Sequence, residues 1–314
     1  CIRDRTFIAG VTMKVDDINF KFFHINKWDN GEFKGDAIST TSELVKISSD
    51  GNLGLEEGQK FERGGIYRFT VDVTKGNTKA VLTVEKIGKV DLPAPDIFFG
   101  NDKMEVTDTD IYKSEQVFTQ GQMITVTGID NLNEWWIDPD FFEKQSDGAL
   151  KFLPINGDYR VTANAVLKYF SVMALKDGKP AKLQDDGTGA IWAIGKGIGK
   201  PSVASSEVGW EPGKALCLAQ VAPKKYQLTL KAGETLKTSG DSEVISFKFF
   251  HQNDWGGEFG NYANSILVEQ LKLTDSGNLE MQDNKAFEEG AVYRFTIDVT
   301  NGNANADLKV EKIN

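Results

Sequence analysis

Two segments of the chain, 19–88 and 246–314, are copies of one sequence module. Residues 47–88 align with 273–314 without a gap, and 21 of these 42 positions hold identical residues. A duplicated unit of this size is typical of tandem domains that each have their own core. The repeat therefore predicts a string of domains rather than one large catalytic fold.

The repeat also predicts strands and shows which side of a strand is buried. Apolar and polar residues alternate along Tyr67–Val73, which is the period of a half-buried strand. In the strand that follows, the second copy replaces Val81 and Thr83 with charged residues. A Gly-Asn turn between the two strands predicts a β-hairpin. The positions that stay apolar in both copies are expected in the core: Ala80, Leu82 and Val84.

Composition supports the same fold class. The chain has 314 residues with 31 glycines and 20 phenylalanines, and such a mixture is typical of many short strands joined by turns. We predict an all-β chain of three tandem immunoglobulin-like β-sandwich domains, at 1–89, 96–186 and 187–314. The first and third domains are the repeats. The middle domain is a divergent relative, because Gly157–Arg160 resembles Gly65–Arg68.

The front of the first domain differs from that of the third. The apolar strand Ala190–Ile194 opens the third domain, and no segment near Cys1 matches it, so we expect the first domain to be truncated there. Cys1 leaves two alternatives open. It is the lipidated first residue of a processed bacterial lipoprotein, or only the point at which the sequence starts. Cys217 lies in an apolar run and is predicted to be a small buried side chain.

The charge balance excludes some function classes. The chain has 36 basic and 46 acidic residues and a formal net charge of −10, which repels nucleic acid unless a local basic patch intervenes. The sequence has no such patch. The longest nearly apolar stretch, 164–175, contains Lys168 and is far shorter than the ~20 residues of a membrane-spanning helix. We therefore expect no nucleic-acid partner and no transmembrane helix.

The placement of the histidines argues against a metal centre. His24 and His251 are the two histidines of the chain and occupy the same position of the two copies. Zinc requires several clustered ligands. Gly195–Gly199 resembles a phosphate-binding loop, but Lys200 and Pro201 stand where a helix would have to begin. We expect these glycines to shape a loop between strands, and we predict no metal and no cofactor.

Four acidic residues beside a tryptophan pair are the best candidates for catalysis. A glycoside hydrolase needs two carboxylates about 5–10 Å apart. Such residues are equally typical of turns and sheet edges, so the favoured prediction is a chain without catalytic residues. A hydrolase in the middle domain remains an alternative. Its candidate residues are Glu134, Asp138, Asp140 and Glu143.

Tryptophan is the residue type that most favours ligand binding here. The chain has six, and the C–H faces of sugars stack on indole rings while neighbouring polar side chains bind hydroxyls. An indole in a strand is also a common packing residue, and Trp192 is predicted to be structural. Trp135 and Trp136 would point to opposite faces of a strand. The candidate binding residues are Trp28, Trp135, Trp136, Asp138, Trp210, Asn253, Asp254 and Trp255.

Several of these residues form a pattern that resembles a known family. The motifs are Ile191-Trp192-Ala193, Gly209-Trp210, Phe247-Lys248-Phe249-Phe250 and Asn253-Asp254-Trp255. They are similar to those of SusE/SusF-type surface glycan-binding lipoproteins of Bacteroidetes. The resemblance covers most of 187–314, about half of that length in 19–88, and the middle domain weakly.

The resemblance implies a non-catalytic protein that is lipid-anchored at the bacterial outer membrane and faces the outside. Such a protein captures polysaccharide or oligosaccharide on aromatic platforms for a glycan uptake system, beside an outer-membrane importer complex. The resemblance implies that Trp210 and Trp255 are the tryptophans that stack on the sugar. Two alternatives stay open: a structural or adhesive surface protein that binds another protein, and a glycoside hydrolase accessory with activity in the middle domain.

Overall fold

The computed structural model describes residues 6–13, 18–25, 31–62, 64–90, 95–108, 110–129, 131–241 and 243–314. The chain is nearly all β and forms tandem β-sandwiches, which confirms the predicted fold class. It divides into two compact units, residues 1–94 and 95–314. The first unit holds the first domain, and the second unit holds the middle and third domains.

The first domain contains a main sheet and a small second layer. Its described strands are β1 (Thr6–Thr12), β2 (Ile38–Thr40), β3 (Val45–Ile47), β4 (Leu53–Leu55), β5 (Gly65–Asp72) and β6 (Ala80–Lys89). The main sheet has the order β1-β5-β6-β2, and β3 pairs with β4. Val45 and Leu53 of the small layer are buried in the same cluster as the inner face of β5 and β6.

The hairpin predicted from the repeat is present. β5 and β6 pair antiparallel, with Phe69 opposite Val84. The three side chains of β6 predicted to face the core are buried, which confirms the predicted inner face: Ala80, Leu82 and Val84.

The middle domain is built from short strands around one five-stranded sheet. Its described strands are β7 (Phe98–Phe99), β8 (Asp102–Lys103), β9 (Glu105–Asp108), β10 (Ile111–Phe118), β11 (Met123–Ile124), β12 (Val126–Thr127), β13 (Phe142–Lys144), β14 (Leu150–Phe152), β15 (Gly157–Asn164), β16 (Tyr169–Lys176) and β17 (Lys179–Pro180). The large sheet has the order β17-β16-β15-β10-β9, and β11-β14-β13 and β12-β7-β8 form smaller sheets. A 3-10 turn at Leu132–Glu134 precedes the two tryptophans.

The third domain is a sandwich of two larger sheets. Its described strands are β18 (Trp192–Gly199), β19 (Glu207–Gly209), β20 (Leu216–Cys217), β21 (Ala219–Ala222), β22 (Lys225–Lys231), β23 (Ser246–Phe250), β24 (Asn264–Ile266), β25 (Leu271–Leu273), β26 (Leu279–Met281), β27 (Val292–Asp298) and β28 (Asp307–Lys312). One sheet has the order β19-β18-β23-β26-β25, with β20 also on β18, and the other has the order β21-β22-β27-β28-β24. A short helix α1 (Val203–Ser206) and 3-10 turns at Pro212–Lys214 and Asn303–Asn305 complete the domain.

The two copies share their hairpin but differ in the exposure of the strand that pairs with it. β1 lies on β5 as β22 lies on β27, so Phe7 and Val11 correspond to Tyr226 and Leu230. Tyr226 and Leu230 are fully buried, whereas Phe7 is 65% and Val11 40% exposed. In the third domain β18 belongs to the facing sheet. Among the described residues of the first domain, no strand corresponds to β18.

The glycine-rich run Gly195–Gly199 lies inside strand β18, so the predicted loop between strands is wrong. Gly195 faces Phe247 of β23 with a φ of +141°. A Cβ atom at Gly195 would lie 2.3 Å from the Cα of Phe247, and one at Gly199 would lie 2.3 Å from the carbonyl oxygen of Ser206. These glycines therefore allow neighbouring backbone to approach the strand closely.

The middle and third domains share one continuous apolar core. Phe118, Phe170, Trp192 and Phe247 belong to the same cluster of buried residues. Backbone hydrogen bonds also cross between the domains, for example from the amide of Ile155 to the carbonyl of Gln220 at 2.8 Å. Trp192 is fully buried, in agreement with its predicted structural role.

Replacing Leu308 with alanine should lower the free energy of unfolding of the third domain by about 2–5 kcal/mol. Leu308 is 1% exposed on the inner face of β28. The next residue, Lys309, is exposed and pairs with Glu311 at the surface, so Lys309→Ala should change the free energy by less than about 1 kcal/mol. Denaturant unfolding of the full chain measures both variants. Equal losses would contradict the assignment of the faces.

Candidate functional site

Two tryptophans that are far apart in sequence stack on each other at the surface of the third domain. Trp210 directly follows β19, and Trp255 lies in the turn after β23. Their ring centroids are 6.3 Å apart and their planes differ by 27°. Trp255 is 50% exposed, and Trp210 is half-buried against the core. We call this pair the tryptophan platform.

The turn that carries Trp255 is held by its own polar groups. The Gln252 side-chain amide donates to the carbonyl of Trp255 at 2.6 Å. The Trp255 amide donates to the Asp254 carboxylate at 2.8 Å. Gly256 and Gly257 adopt φ values of +83° and +71°, which suit glycine and close the turn tightly. Together these interactions fix the direction in which the indole of Trp255 leaves the backbone.

The polar residues beside Trp255 differ in their access to solvent. Asp254 is exposed. The side-chain oxygen of Asn253 is buried and has no hydrogen-bond partner among the described residues, and the same holds for His251 Nε2. Burial lowers the pKa of His251, and the nearby Glu258 carboxylate opposes that shift. Of the two predicted polar contacts, Asp254 is therefore presented at the surface, whereas the Asn253 oxygen is not.

Trp135 and Trp136 point in different directions, and the prediction for Trp135 requires a correction. Trp135 is 7% exposed and stacks on Phe170 with ring centroids 4.7 Å apart, so its ring serves the core of the middle domain and offers no exposed face. Trp136 is half-buried. Its Nε1 donates to a Glu234 carboxylate oxygen of the third domain at 2.8 Å.

A buried lysine connects the middle domain to the third. Lys200, which follows β18, is 6% exposed, and Asp138 and Asp140 of the middle domain are 5% and 1% exposed. Lys200 Nζ donates to both oxygens of Asp138 at 2.9 and 2.8 Å. It also donates to Asp140 at 3.1 Å. The ammonium group thus bridges two carboxylates of the neighbouring domain.

Strand β22 of the third domain completes this cluster. The Thr229 hydroxyl and backbone amide each donate to Asp140 at 2.6 Å. The Gln227 side-chain amide donates to the same carboxylate at 2.7 Å. We call Asp138, Asp140, Lys200, Gln227 and Thr229 the lysine cluster. Every buried charge in it is paired and hydrogen-bonded, which is what makes ion burial tolerable.

Burial and charge act in opposite directions on the pKa values of this cluster. Burial raises the pKa of Asp138, and the Lys200 charge only partly offsets it. Burial also acts to raise the pKa of Asp140, but Lys200 and the hydrogen bonds from Thr229 and Gln227 outweigh it and lower that pKa. Burial acts to lower the pKa of Lys200, yet the two carboxylates raise it. The two carboxylates therefore favour the charged form of Lys200 despite its burial.

A cleft of about 610 Å³ opens between the middle and third domains beside the lysine cluster. We call it the interdomain cleft. Trp136 forms part of one wall, and its ring centroid lies 5.9 Å from Lys200 Nζ. Other residues that line it are Tyr169, Ser171, Met173, Ser205, Leu216 and Cys217. Neither tryptophan of the platform lines the cleft.

The four acidic residues considered for catalysis are all engaged in ion pairs. Asp138 and Asp140 share Lys200. Glu134 pairs with Lys168, and Glu143 with Lys151, at the surface. Asp138 and Asp140 are buried, and both accept from the same ammonium group. This leaves no room between them for a water and a glycosidic bond. The ion pairs of Asp138 and Asp140 with Lys200 instead connect the middle domain to the third domain.

Models of two protein families match different parts of the chain. The model described as Domain of unknown function (DUF5121) matches residues 3–74 and 186–300, more than half of the chain. The chain belongs to the DUF5121 family. The model described as Domain of unknown function (DUF5125) matches residues 91–183. This order, with DUF5121 regions on both sides of DUF5125, fits three tandem domains. No curated protein and no solved structure matches the chain.

The tryptophan platform and Lys200 both lie in the second DUF5121 region, whereas Trp136, Asp138 and Asp140 lie in the DUF5125 region. Trp28, the counterpart of Trp255 in the first DUF5121 region, lies outside the described residues. Within the described parts of the chain, no group of three or more histidine, cysteine, aspartate or glutamate side chains could hold a metal ion. No helix among them is long and apolar enough to cross a membrane.

The third-domain half of the interface was not predicted from the sequence. Lys200 was noted only as the residue before a proline, and Gln227, Thr229 and Glu234 were not singled out. A signal exists in the repeat, because β1 of the first copy has Ile8 and Gly10 where β22 has Gln227 and Thr229. A difference between copies on one strand face marks a surface that only one copy uses.

Replacing Lys200 with methionine should lower the free energy of unfolding of the second unit by about 3–5 kcal/mol, because two buried carboxylates lose their cation. Lys196 on the same strand pairs with Glu243 at the surface, so Lys196→Met should change it by less than about 1 kcal/mol. Thermal unfolding at pH 7 compares the two. A Lys200→Met chain as stable as Lys196→Met would show that the cluster does not hold the domains together.

The thiol of Cys217 should be unreactive in the folded chain. Burial raises its pKa to about 12, with a further contribution from Asp138. At pH 8 this reduces the thiolate fraction by about 10³ relative to an exposed cysteine. We expect alkylation by iodoacetamide to be at least about 10³-fold slower in the folded chain than in denaturant. Peptide mapping separates Cys217 from Cys1, and equal rates in both states would contradict the burial.

Proposed function

We propose that this DUF5121 protein binds a polysaccharide or an oligosaccharide on the tryptophan platform and carries out no reaction on it. The observation that carries the proposal is the stacked pair itself. Trp210 and Trp255 follow different strands of one sheet, and the fold brings them together with Trp255 half exposed. Tryptophan is enriched at binding interfaces, because its ring offers a large apolar face and its N–H a polar contact.

The shape and chemistry of the platform suit a sugar ring. The two indoles are nearly parallel and Phe250 supports Trp255 edge-on at 5.9 Å, so the exposed ring is rigid. A rigid aromatic face binds the C–H side of a pyranose with little loss of conformational entropy. Asp254 has one carboxylate oxygen that the turn does not use, and this oxygen can accept from a sugar hydroxyl.

The proposed cellular role follows from the resemblance to SusE/SusF-type proteins. We place the chain at the outer-membrane surface, lipid-anchored, where it would hold glycan for an importer complex. A single platform of this size would bind weakly, and linked platforms gain effective concentration without new contacts. Asp138 and Asp140 have no part in this function beyond holding the domains, because both are bound to Lys200.

A second candidate function, adhesion to another protein, is favoured by a different surface. β1 is an edge strand in the first domain, and Phe7, Ile8 and Val11 on it are exposed. Exposed apolar side chains on a sheet edge are a site for pairing with another chain. This function predicts a protein partner that Phe7→Ser weakens and that the platform variants leave unchanged.

Replacing Trp255 with alanine should weaken glycan binding at least 10-fold, because the exposed ring supplies most of the stacking surface. Trp210→Ala should weaken it by a smaller factor, since Trp210 is half-buried and supports its neighbour. Each 10-fold change corresponds to about 1.4 kcal/mol. Titration calorimetry and affinity gels with a panel of polysaccharides measure the effect on the full chain.

The matched control is Ile266→Ala, which removes another exposed apolar side chain of the third domain. It should leave glycan affinity unchanged. The proposal is overturned if no saccharide binds at millimolar concentration, or if Trp255→Ala and Ile266→Ala bind equally well.

A further inference from the structure

We propose that the interdomain cleft is a second binding site, and that its ligand is an uncharged sugar or polyol. It lies between the DUF5125 domain and the second DUF5121 domain and does not use Trp210 or Trp255. Its volume of about 610 Å³ falls within the ~300–1,000 Å³ of typical small-molecule sites. The inference does not depend on the function of the tryptophan platform.

The walls of the cleft are fixed before any ligand arrives. The lysine cluster holds the two domains together at its base. Trp136 is held by its bond to Glu234 across the interface. A preformed site loses little conformational entropy when it binds. The cleft therefore has the rigidity that weak polar ligands require.

The charges that line the cleft are balanced and paired. Asp138 pairs with Lys200. Glu207 accepts from the Gly197 amide at 2.8 Å and from Lys237 at 3.0 Å. Lys214, at the exposed rim, pairs with Glu211. An anionic or cationic ligand would have to break one of these pairs, so an uncharged ligand is favoured.

Polar groups without protein partners face the same space. The hydroxyls of Ser171 and Tyr169 line the cleft and have no hydrogen-bond partner within the described residues. The Asn164 oxygen accepts from two backbone amides, which leaves its amino group free to donate. These groups both donate and accept, which matches a ligand rich in hydroxyl groups.

Apolar surface lies between these polar groups. Trp136, Met173 and Leu216 are half-buried and line the cleft. A purely apolar ligand would leave the hydroxyls and the amide desolvated and unpaired. A ligand with C–H faces and several hydroxyls satisfies both kinds of surface. Uncharged sugars and polyols have this composition.

The test uses the full chain with Trp210→Ala and Trp255→Ala together, so that the tryptophan platform contributes nothing. The probes are uncharged disaccharides of glucose, mannose, galactose and xylose, and one disaccharide that carries a uronic acid. Titration calorimetry gives affinity and stoichiometry. We expect one equivalent of at least one uncharged disaccharide to bind, and the acidic disaccharide to bind at least 10-fold more weakly.

Three further variants in that background decide whether the cleft is the site. Tyr169→Phe removes one hydroxyl and should weaken binding about 2- to 10-fold, the contribution of one hydrogen bond. Ser171→Trp fills the cleft and should abolish binding. Val106→Trp places the same side chain at an exposed position of the middle domain and should have no effect. If Ser171→Trp fails to fold, the change caused by Tyr169→Phe decides the outcome.

Several results overturn the inference. One is that no uncharged disaccharide binds once the platform is removed, while the unchanged chain binds glycan; the platform function then stands alone. Another is that a folded Ser171→Trp chain binds as tightly as its parent. A third is a preference for the acidic disaccharide. Binding that survives removal of the platform and is lost in Ser171→Trp supports the cleft even if the platform binds no glycan.

Discussion

The buried ammonium group of Lys200 is the interaction on which the second unit depends. Charged groups are removed from water at a large free-energy cost, and here three of them are buried together. The arrangement is stable only because Asp138 and Asp140 both accept from the ammonium, while Gln227 and Thr229 of β22 donate to Asp140. Ion clusters of this kind tolerate little change in distance. Together with the shared apolar core they join the two domains, whose residues line the cleft.

Duplication separates what the fold requires from what one copy has added. The hairpin β5–β6 and its repeat β27–β28 have the same register and the same inner face. A shift of one residue would turn the alternating apolar side chains towards solvent, so only one register buries them. Of the two platform tryptophans, Trp255 has a sequence counterpart in Trp28. Trp210 sits on a segment between β19 and β20 that has no counterpart among the described residues of the first domain.

The sequence allowed prediction of the parts that depend on local pattern. Alternation revealed the hairpin and its buried face, and an apolar neighbourhood identified Trp192 as a packing residue. Alternation also implied that the side chains of Trp135 and Trp136 point in different directions. It did not show which of them is buried, because that depends on the packing of Trp135 against Phe170. Gly195–Gly199 was misassigned to a loop because clustered glycines usually indicate a turn. In β18 these glycines instead allow β23 and α1 to approach the strand closely. The pairing of Lys200 with Asp138 and the meeting of Trp210 with Trp255 depend on tertiary structure and leave no local trace.

The polar face of β22 has a consequence for how this architecture can be rearranged. Where β22 offers Gln227 and Thr229 to Asp140, the first copy has Ile8 and Gly10. The two DUF5121 regions therefore share a fold but are not interchangeable parts. A recombination event that exchanged them would place an apolar strand against a carboxylate that needs donors. The DUF5125 domain and the DUF5121 domain that follows it therefore form a matched pair, because each supplies groups that the buried charges of the other require.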